Sequence, residues 1–226
     1  MKKRTAFIGA ILSLIPLGQP SIIKTGLVLS TTGFLLSISE KVNAESANFY
    51  IKKGNKNYDK NDFYGAISDY TKAIEIDPNN AFAYYNRGLS RKLIKDYYGA
   101  ISDYTKAIEI NPQFSDSYRD RAVSKSILKD YYGAISDYTK ALEIKPNDYK
   151  AYYNRGNAKT DLNDYYGAIS DYTKAIEINP NYYQAYGNRG IYKKAIGDLK
   201  GACSDWIKTD ALFPNTRAAQ WVRDEC

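Results

Sequence analysis

Along most of the chain, apolar positions recur with the 3.6-residue period of a helix, and turn residues interrupt the pattern at even intervals. In the stretch at 97–110, Ala100, Tyr104, Ala107 and Ile108 fall at i, i+4, i+7 and i+8, which is one apolar face. Asp96 stands where an N-cap belongs, and Pro112 follows the end of the stretch and cannot continue a helix. A second periodic stretch runs from about Ala81 to Ile94. Small residues at Gly88 and Ala100 would let the two backbones approach closely. The pattern therefore predicts a pair of helices joined by a tight turn.

The pair is repeated. The fifteen residues at 96–110 return unchanged at 164–178, with Leu for one Ile at 130–144, and with an Asp-Phe-Tyr opening at 62–76. Gly65, Gly99, Gly133, Gly167 and Gly201 are 34 apart, as are Pro78, Pro112, Pro146, Pro180 and Pro214. Tyr50, Tyr84, Tyr118, Tyr152 and Tyr186 keep the same step. Five units follow, at 47–80, 81–114, 115–148, 149–182 and 183–216. A self-similarity of this length predicts an all-α fold, an α-solenoid of five helix-turn-helix units. Residues 217–226 then form a capping helix, with Trp221 and Val222 covering the last unit's apolar face.

With Tyr84, Arg87, Gly88, Arg91, Ala100, Tyr104 and Pro112 at the corresponding positions, the chain resembles the tetratricopeptide repeat (TPR) family over all of 47–216. Two positions depart from the family pattern. Its leucine is Arg87, Arg121, Arg155 and Arg189, with Lys53 in the first unit, and its second aromatic is mostly Lys or Arg. An arginine between helices needs a partner. Asp69, Asp103, Asp137, Asp171 and Asp205 recur on the second helices, so a ladder of arginine–aspartate pairs is expected.

The second helices are nearly identical, as packing against equivalent neighbours demands. The first helices drift at positions 2, 5, 6, 9, 12 and 13 of each unit, which form one stripe. The resemblance implies that this stripe lines a concave groove for peptides. Phe82, Tyr85 and Leu89, with Leu93, would make an apolar pocket in the second unit. Arg119 adds charge in the third, and Asn86, Tyr153, Asn154, Asn157 and Asn188 offer amides and a phenol to an extended backbone. The family's carboxylate clamp is matched at only two of five positions, when Arg119, Val123, Asn154, Gln184 and Asn188 are set against it, so a chaperone-tail receptor is not expected.

Composition narrows the chemistry. The chain of 226 residues contains no histidine, which removes the usual general base and metal ligand. No catalytic residues, metal or cofactor are expected, and no phosphate loop or nucleophile elbow occurs. The 23 tyrosines mostly occupy repeated positions and are expected in the core. The net charge of +7 owes much to residues 1–44; beyond them 27 basic residues face 24 acidic ones, which argues against nucleic acid. Residues 1–44 have a basic start at Lys2–Arg4, an apolar run and small residues around Ala44, the layout of a cleaved signal peptide. The rival reading is a retained membrane anchor at 22–39. Cys203 and Cys226 could pair in an oxidising compartment, but a buried cysteine and a free terminal thiol are the expectation. The functional expectation is an exported, non-catalytic scaffold that binds a peptide segment of a partner protein, in assembly of a membrane or envelope complex. Its alternative is a membrane-tethered adaptor, ahead of a glycan-binding protein or an enzyme. No small-molecule substrate is expected.

Overall fold

The computed structural model describes residues 45–214 and 217–226, so the signal-peptide and anchor readings fall outside the described residues. Ala44–Cys226 form one compact unit. Eleven helices and no strands occur among the described residues. The first is α1 (45–59). It is followed by α2 (Phe63–Ile76), α3 (Ala81–Leu93), α4 (Tyr97–Ile110), α5 (Ser115–Ile127), α6 (Tyr131–Ile144), α7 (Tyr149–Asp161), α8 (Tyr165–Ile178), α9 (Tyr183–Ala195), α10 (Leu199–Leu212) and α11 (Arg217–Glu225). Odd-numbered helices from α1 to α9 are the first helices of the units. Each of α3, α5, α7 and α9 packs on the second helix of its own unit and on that of the preceding one. None of the helices is long and apolar enough to cross a membrane among the described residues.

The turn inside each unit is specified locally. Asp62, Asp96, Asp130, Asp164 and Asp198 cap the second helices by accepting a hydrogen bond from the glycine N–H three residues on. A side chain on that glycine would collide with the capping carboxylate. The residue before the cap ends the first helix in the left-handed region: Asn61, Lys95, Lys129 and Asn163 have φ of 60–65°, and Gly197 has 90°. Lysine there is strained by roughly 1–2 kcal/mol.

A ring fills the space between the two helices of each unit. Tyr70, Tyr104, Tyr138, Tyr172 and Trp206 are almost fully buried. Gly54, Gly88, Gly156 and Gly190 are glycine because a Cβ there would lie 2.5–2.7 Å from the ring of their unit. Gly88 thus admits Tyr104 rather than simply drawing backbones together. The third unit carries Ala122 at this position and packs it in the same cluster as Tyr138.

Not every tyrosine is core. Tyr64, Tyr98, Tyr132 and Tyr166, the second residues of α2, α4, α6 and α8, are 73–77% exposed and have no hydrogen-bond or ring partner among the described residues. Packing does not explain their sameness.

The ion-pair ladder is present in every unit. Arg87 meets Asp103 through two parallel hydrogen bonds, Nε to Oδ2 at 3.0 Å and Nη2 to Oδ1 at 2.7 Å. Its Nη1 donates to Thr71 Oγ1 of the preceding unit at 3.0 Å. Arg121, Arg155 and Arg189 repeat this on Asp137 and Thr105, Asp171 and Thr139, and Asp205 and Thr173. The second departure from the family pattern serves the same carboxylate. Arg91, Lys125, Lys159 and Lys193 reach Asp103, Asp137, Asp171 and Asp205 at 2.8–3.0 Å. In the first unit Lys53 and Asn57 take these two places on Asp69.

At the C-terminal end α11 lays Ala218, Trp221 and Val222 over Ala202 and Trp206, as the capping reading requires. The cysteine expectation is overturned. Cys203 of α10 and Cys226 are joined in a disulfide with Cα atoms 5.8 Å apart. The pairing of α11 with α10 brings the terminal residue back over the helix that carries Cys203, so neither thiol is free. Closing a loop of this size constrains the unfolded chain by about 3 kcal/mol.

Two stability tests follow from the core. Asp171→Ala leaves the Arg155 and Lys159 cations unpaired at a buried site and should cost about 3–5 kcal/mol, while Arg155→Met with Asp171→Leu should recover much of it; urea unfolding of both variants checks this. Burial is the main cause that pushes the phenols of Tyr70, Tyr104, Tyr138 and Tyr172 above their ordinary value of 10.0. In the unfolded chain the same phenols lose protons from about pH 10, so the unfolded state binds fewer protons there and stability falls as pH rises. Helix content should therefore be lost in a cooperative step above pH 10, and the last part of the phenolate absorbance, that of the buried rings, should appear together with it.

Candidate functional site

The drifting stripe lies where successive first helices meet, α3 against α5 and α5 against α7. No pair of second helices packs as closely, so the first helices form the inner side of the solenoid. The sequence reading treats this stripe as released from packing. The side chains show otherwise, because several of them bridge neighbouring units.

Asn86 Nδ2 donates to Asn55 Oδ1 at 3.3 Å, and Asn55 Oδ1 also accepts from Tyr70 OH at 2.7 Å. The same triangle recurs at the fourth and fifth units. Asn157 Oδ1 accepts from Tyr172 OH at 2.8 Å and from Asn188 Nδ2 at 3.0 Å, and Asn188 Nδ2 donates as well to Tyr153 OH at 3.1 Å. Asn86, Asn157 and Asn188 are thus partly committed to neighbouring units. Asn154, opposite Val123 in the repeat, has no hydrogen-bond partner among the described residues. Where Leu89 replaces the asparagine, Tyr104 OH is buried without a partner.

The pocket expected in the second unit divides in two. Phe82 and Tyr85 pack on Phe114, with ring centroids 5.0 and 4.8 Å apart. Leu89 faces a separate cavity of about 220 Å³, shared with Asn55, Tyr58, Asp59, Tyr70 and Asn86. Tyr85 OH donates to Asp120 Oδ2 at 3.0 Å. Burial, and then the Asp120 charge, raises the Tyr85 pKa, so the phenol stays a donor. Arg119 is enclosed by acids: Nη1 donates to Asp116 at 2.6 Å and to Asp148 at 2.9 Å, and Nη2 to Asp120 at 3.2 Å. Burial works against its charge, but Asp120, Asp148 and Asp116 outweigh it and raise the pKa.

Phe114 and Tyr182 are the residues that the sequence reading passed over. Both occupy the cap position before a first helix, where Asn80 and Asp148 make capping hydrogen bonds and these two make none. Their rings turn inward instead. Tyr182 stands 4.9 Å from Tyr149 and 5.0 Å from Tyr153. The visible signal is the alternation Asn80, Phe114, Asp148, Tyr182, in which every second unit gives up a cap for a ring between units.

A further cavity of about 220 Å³ opens at the C-terminal end, lined by Tyr153, Tyr183, Gln184, Asn188, Ile191 and Trp221 among others. On the other side of the molecule, a cavity of about 420 Å³ is bounded by Arg87, Arg91, Asp103 and Lys106. These charges pair with each other or with Glu109. The inner face therefore carries two side-chain-sized cavities, one at each end, with charged and amide groups between them.

Comparison with known proteins agrees with this architecture. Tetratricopeptide repeat models match residues 81–114 and 149–182, and two further TPR models match 54–93 and 116–148. No curated protein sequence matches the chain. Among solved structures, MamA is 24% identical with a TM-score of 0.70, covering 80% of this chain and 97% of its own. YrrB, described as a TPR protein with an unusual peptide-binding site, is 22% identical with a TM-score of 0.69, covering 83% and 96%. Both show the fold alone. The first TPR of Spaghetti (RPAP3), bound to the HSP90 peptide SRMEEVD, is 28% identical with a TM-score of 0.52, covering 53% of this chain and 94% of its own. The repeats, the paired helices and the family models agree: the chain belongs to the tetratricopeptide repeat family.

Proposed function

We propose that this protein is a non-catalytic interaction scaffold whose inner face binds an extended peptide segment of a partner protein. The observation that carries the reading is the pair of cavities on the first-helix face. Each is about 220 Å³, below the roughly 300–1,000 Å³ of drug-sized pockets, and holds one side chain rather than a whole small molecule. They lie at opposite ends of the solenoid, so a ligand that used both would have to be a chain. Asn154, free between them, offers the donor and the acceptor that a peptide backbone needs. The peptide-bound RPAP3 repeat and the peptide-binding site described for YrrB support the same class of ligand.

The compartment proposed is an exported one, where the scaffold would serve assembly of a membrane or envelope complex. The leader pattern at 1–44 and the Cys203–Cys226 disulfide favour an oxidising environment. The mass of the mature chain separates cleavage after Ala44 from a retained anchor.

A pull-down from the exported fraction tests the groove. The unit Ala44–Cys226 should retain a partner protein, and Asn154→Ala with Leu89→Asp should lose at least about 90% of it, as removal of a dominant contact region does. Circular dichroism should show both proteins equally helical. Equal recovery by both would place the partner on another face.

A further inference from the structure

The helix that ends the solenoid does more than cover an apolar face. It supplies part of the wall of the C-terminal cavity, where Arg217, Ala218 and Trp221 of α11 face residues of α7 and α9. We propose that this cavity is a ligand subsite built jointly by the last repeats and the cap, taking an apolar peptide side chain that lies next to an acidic group, and that the Cys203–Cys226 disulfide holds its wall in place. The inference rests on the peptide-binding reading and fixes where one anchor of that peptide sits and what chemistry it has.

The apolar half of the site comes from rings and a branched chain. Tyr153, Tyr183 and Ile191 of the repeats and Trp221 of the cap line it. Ile191 remains 37% exposed, an apolar surface that the protein itself leaves uncovered. Tyr153 is held by the Tyr182 ring and by Asn188, and Trp221 is held by the Trp206 ring at 5.1 Å. The walls are therefore fixed before a ligand arrives, which lowers the ordering cost of binding.

The polar half sets the charge of the ligand. Arg217 lies exposed at this cavity and has no ion-pair partner among the described residues, unlike the arginines of the ladder. An unpaired guanidinium favours a carboxylate, which it meets with two parallel hydrogen bonds. Gln184 Oε1 is buried without a hydrogen bond. It is an acceptor lacking a donor, and a ligand backbone N–H supplies one. A peptide that places a carboxylate beside a leucine-like side chain satisfies all three features at once.

The wall can be moved without touching the repeats. Besides the Cys203–Cys226 bond, the C-terminal end of α11 is tied by Lys194 to Glu225. Reduction removes the covalent tie on the helix that carries Trp221 and Arg217, leaving its position to the packing on Trp206. Ligand affinity then depends on the redox state of a bond that no ligand touches.

Tryptophan fluorescence of the unit Ala44–Cys226 reads this site, because Trp221 lines the cavity and the other tryptophan, Trp206, is buried beneath it. The probes are the blocked tripeptide acetyl-Glu-Leu-Gly-amide and its Lys-Leu and Glu-Ser counterparts. The first should saturate the signal, with the other two weaker by about tenfold or more. Arg217→Glu should reverse the preference between the Glu and Lys probes while leaving the fold intact. Cys226→Ser, or reduction of the native protein, should weaken the Glu-Leu probe by about tenfold with little change in helix content. Saturable binding that ignores both Arg217→Glu and Cys226→Ser would overturn the subsite and leave the groove reading standing. No saturation by any probe at millimolar concentration would overturn the subsite too, and the pull-down would then judge the groove alone.

Discussion

A carboxylate buried in the second helix of every unit would cost several kcal/mol if it were left unpaired, and much of each unit is arranged to prevent that. Asp103 shows the arrangement. It receives a two-pronged Arg87, a second cation from Arg91, and through Arg87 a link to Thr71 of the unit before. Thr71 in turn donates to the Ile67 carbonyl, so the network ends on backbone that is already helical. Arg87 also lies over the Tyr84 ring at 5.6 Å, which shields the pair from water on one side. Replacing the family's leucine and aromatic by cations is therefore one change, not two. Both cations exist to neutralise the aspartate between them.

This device explains why the second helix tolerates so little change. Its aspartate binds cations from its own unit, its threonine receives an arginine from the next, and its tyrosine ring fills the glycine notch of its partner helix. Each contact is set by a neighbour of the same sequence, so one altered unit would misfit two interfaces. The exposed tyrosines at Tyr64, Tyr98, Tyr132 and Tyr166 mark the limit of that account. They recur like the core yet stand mostly exposed, so sameness between copies is not proof of burial.

How much of this was legible follows from the range of the interactions. The repeat, the helix pairs and the arginine–aspartate ladder could be read because they obey local periodicity or a simple rule, that a charge between helices needs a partner. The second cation on each aspartate and the threonine bridge were not read, since both require knowing which face of the preceding unit comes into contact. The inner stripe was located but its chemistry was only half understood. Drift at Asn55, Leu89, Val123, Asn157 and Ile191 looked like freedom, yet Asn55 and Asn157 hold the buried tyrosine hydroxyls that Leu89 leaves unpaired. Phe114 and Tyr182 escaped notice because their positions belong to turns, where rings are not sought. The disulfide was seen as possible but not expected, for a similar reason: spacing alone does not say that α11 folds back to bring Cys226 beside Cys203.

The inner face couples neighbouring units, and on the proposed reading it also meets the ligand. Between the second and third units it is filled by Phe114, between the third and fourth by Arg119 with Asp148, and between the fourth and fifth by Tyr182 and Asn188. These are different chemical solutions to one geometric task, and each also sets what the groove presents at that level. A ligand lying along the groove would touch the same residues that couple neighbouring units. Binding would then stiffen those interfaces, since whatever binds only the folded arrangement stabilises it by mass action. In a solenoid whose stability is a sum over neighbours, that stabilisation stays local to the units covered. Two of the rings that fill the units carry an unpaired buried atom, Tyr104 OH in the second unit and Trp206 Nε1 in the fifth, and both lack the hydrogen bond that Asn55 and Asn157 accept from Tyr70 and Tyr172.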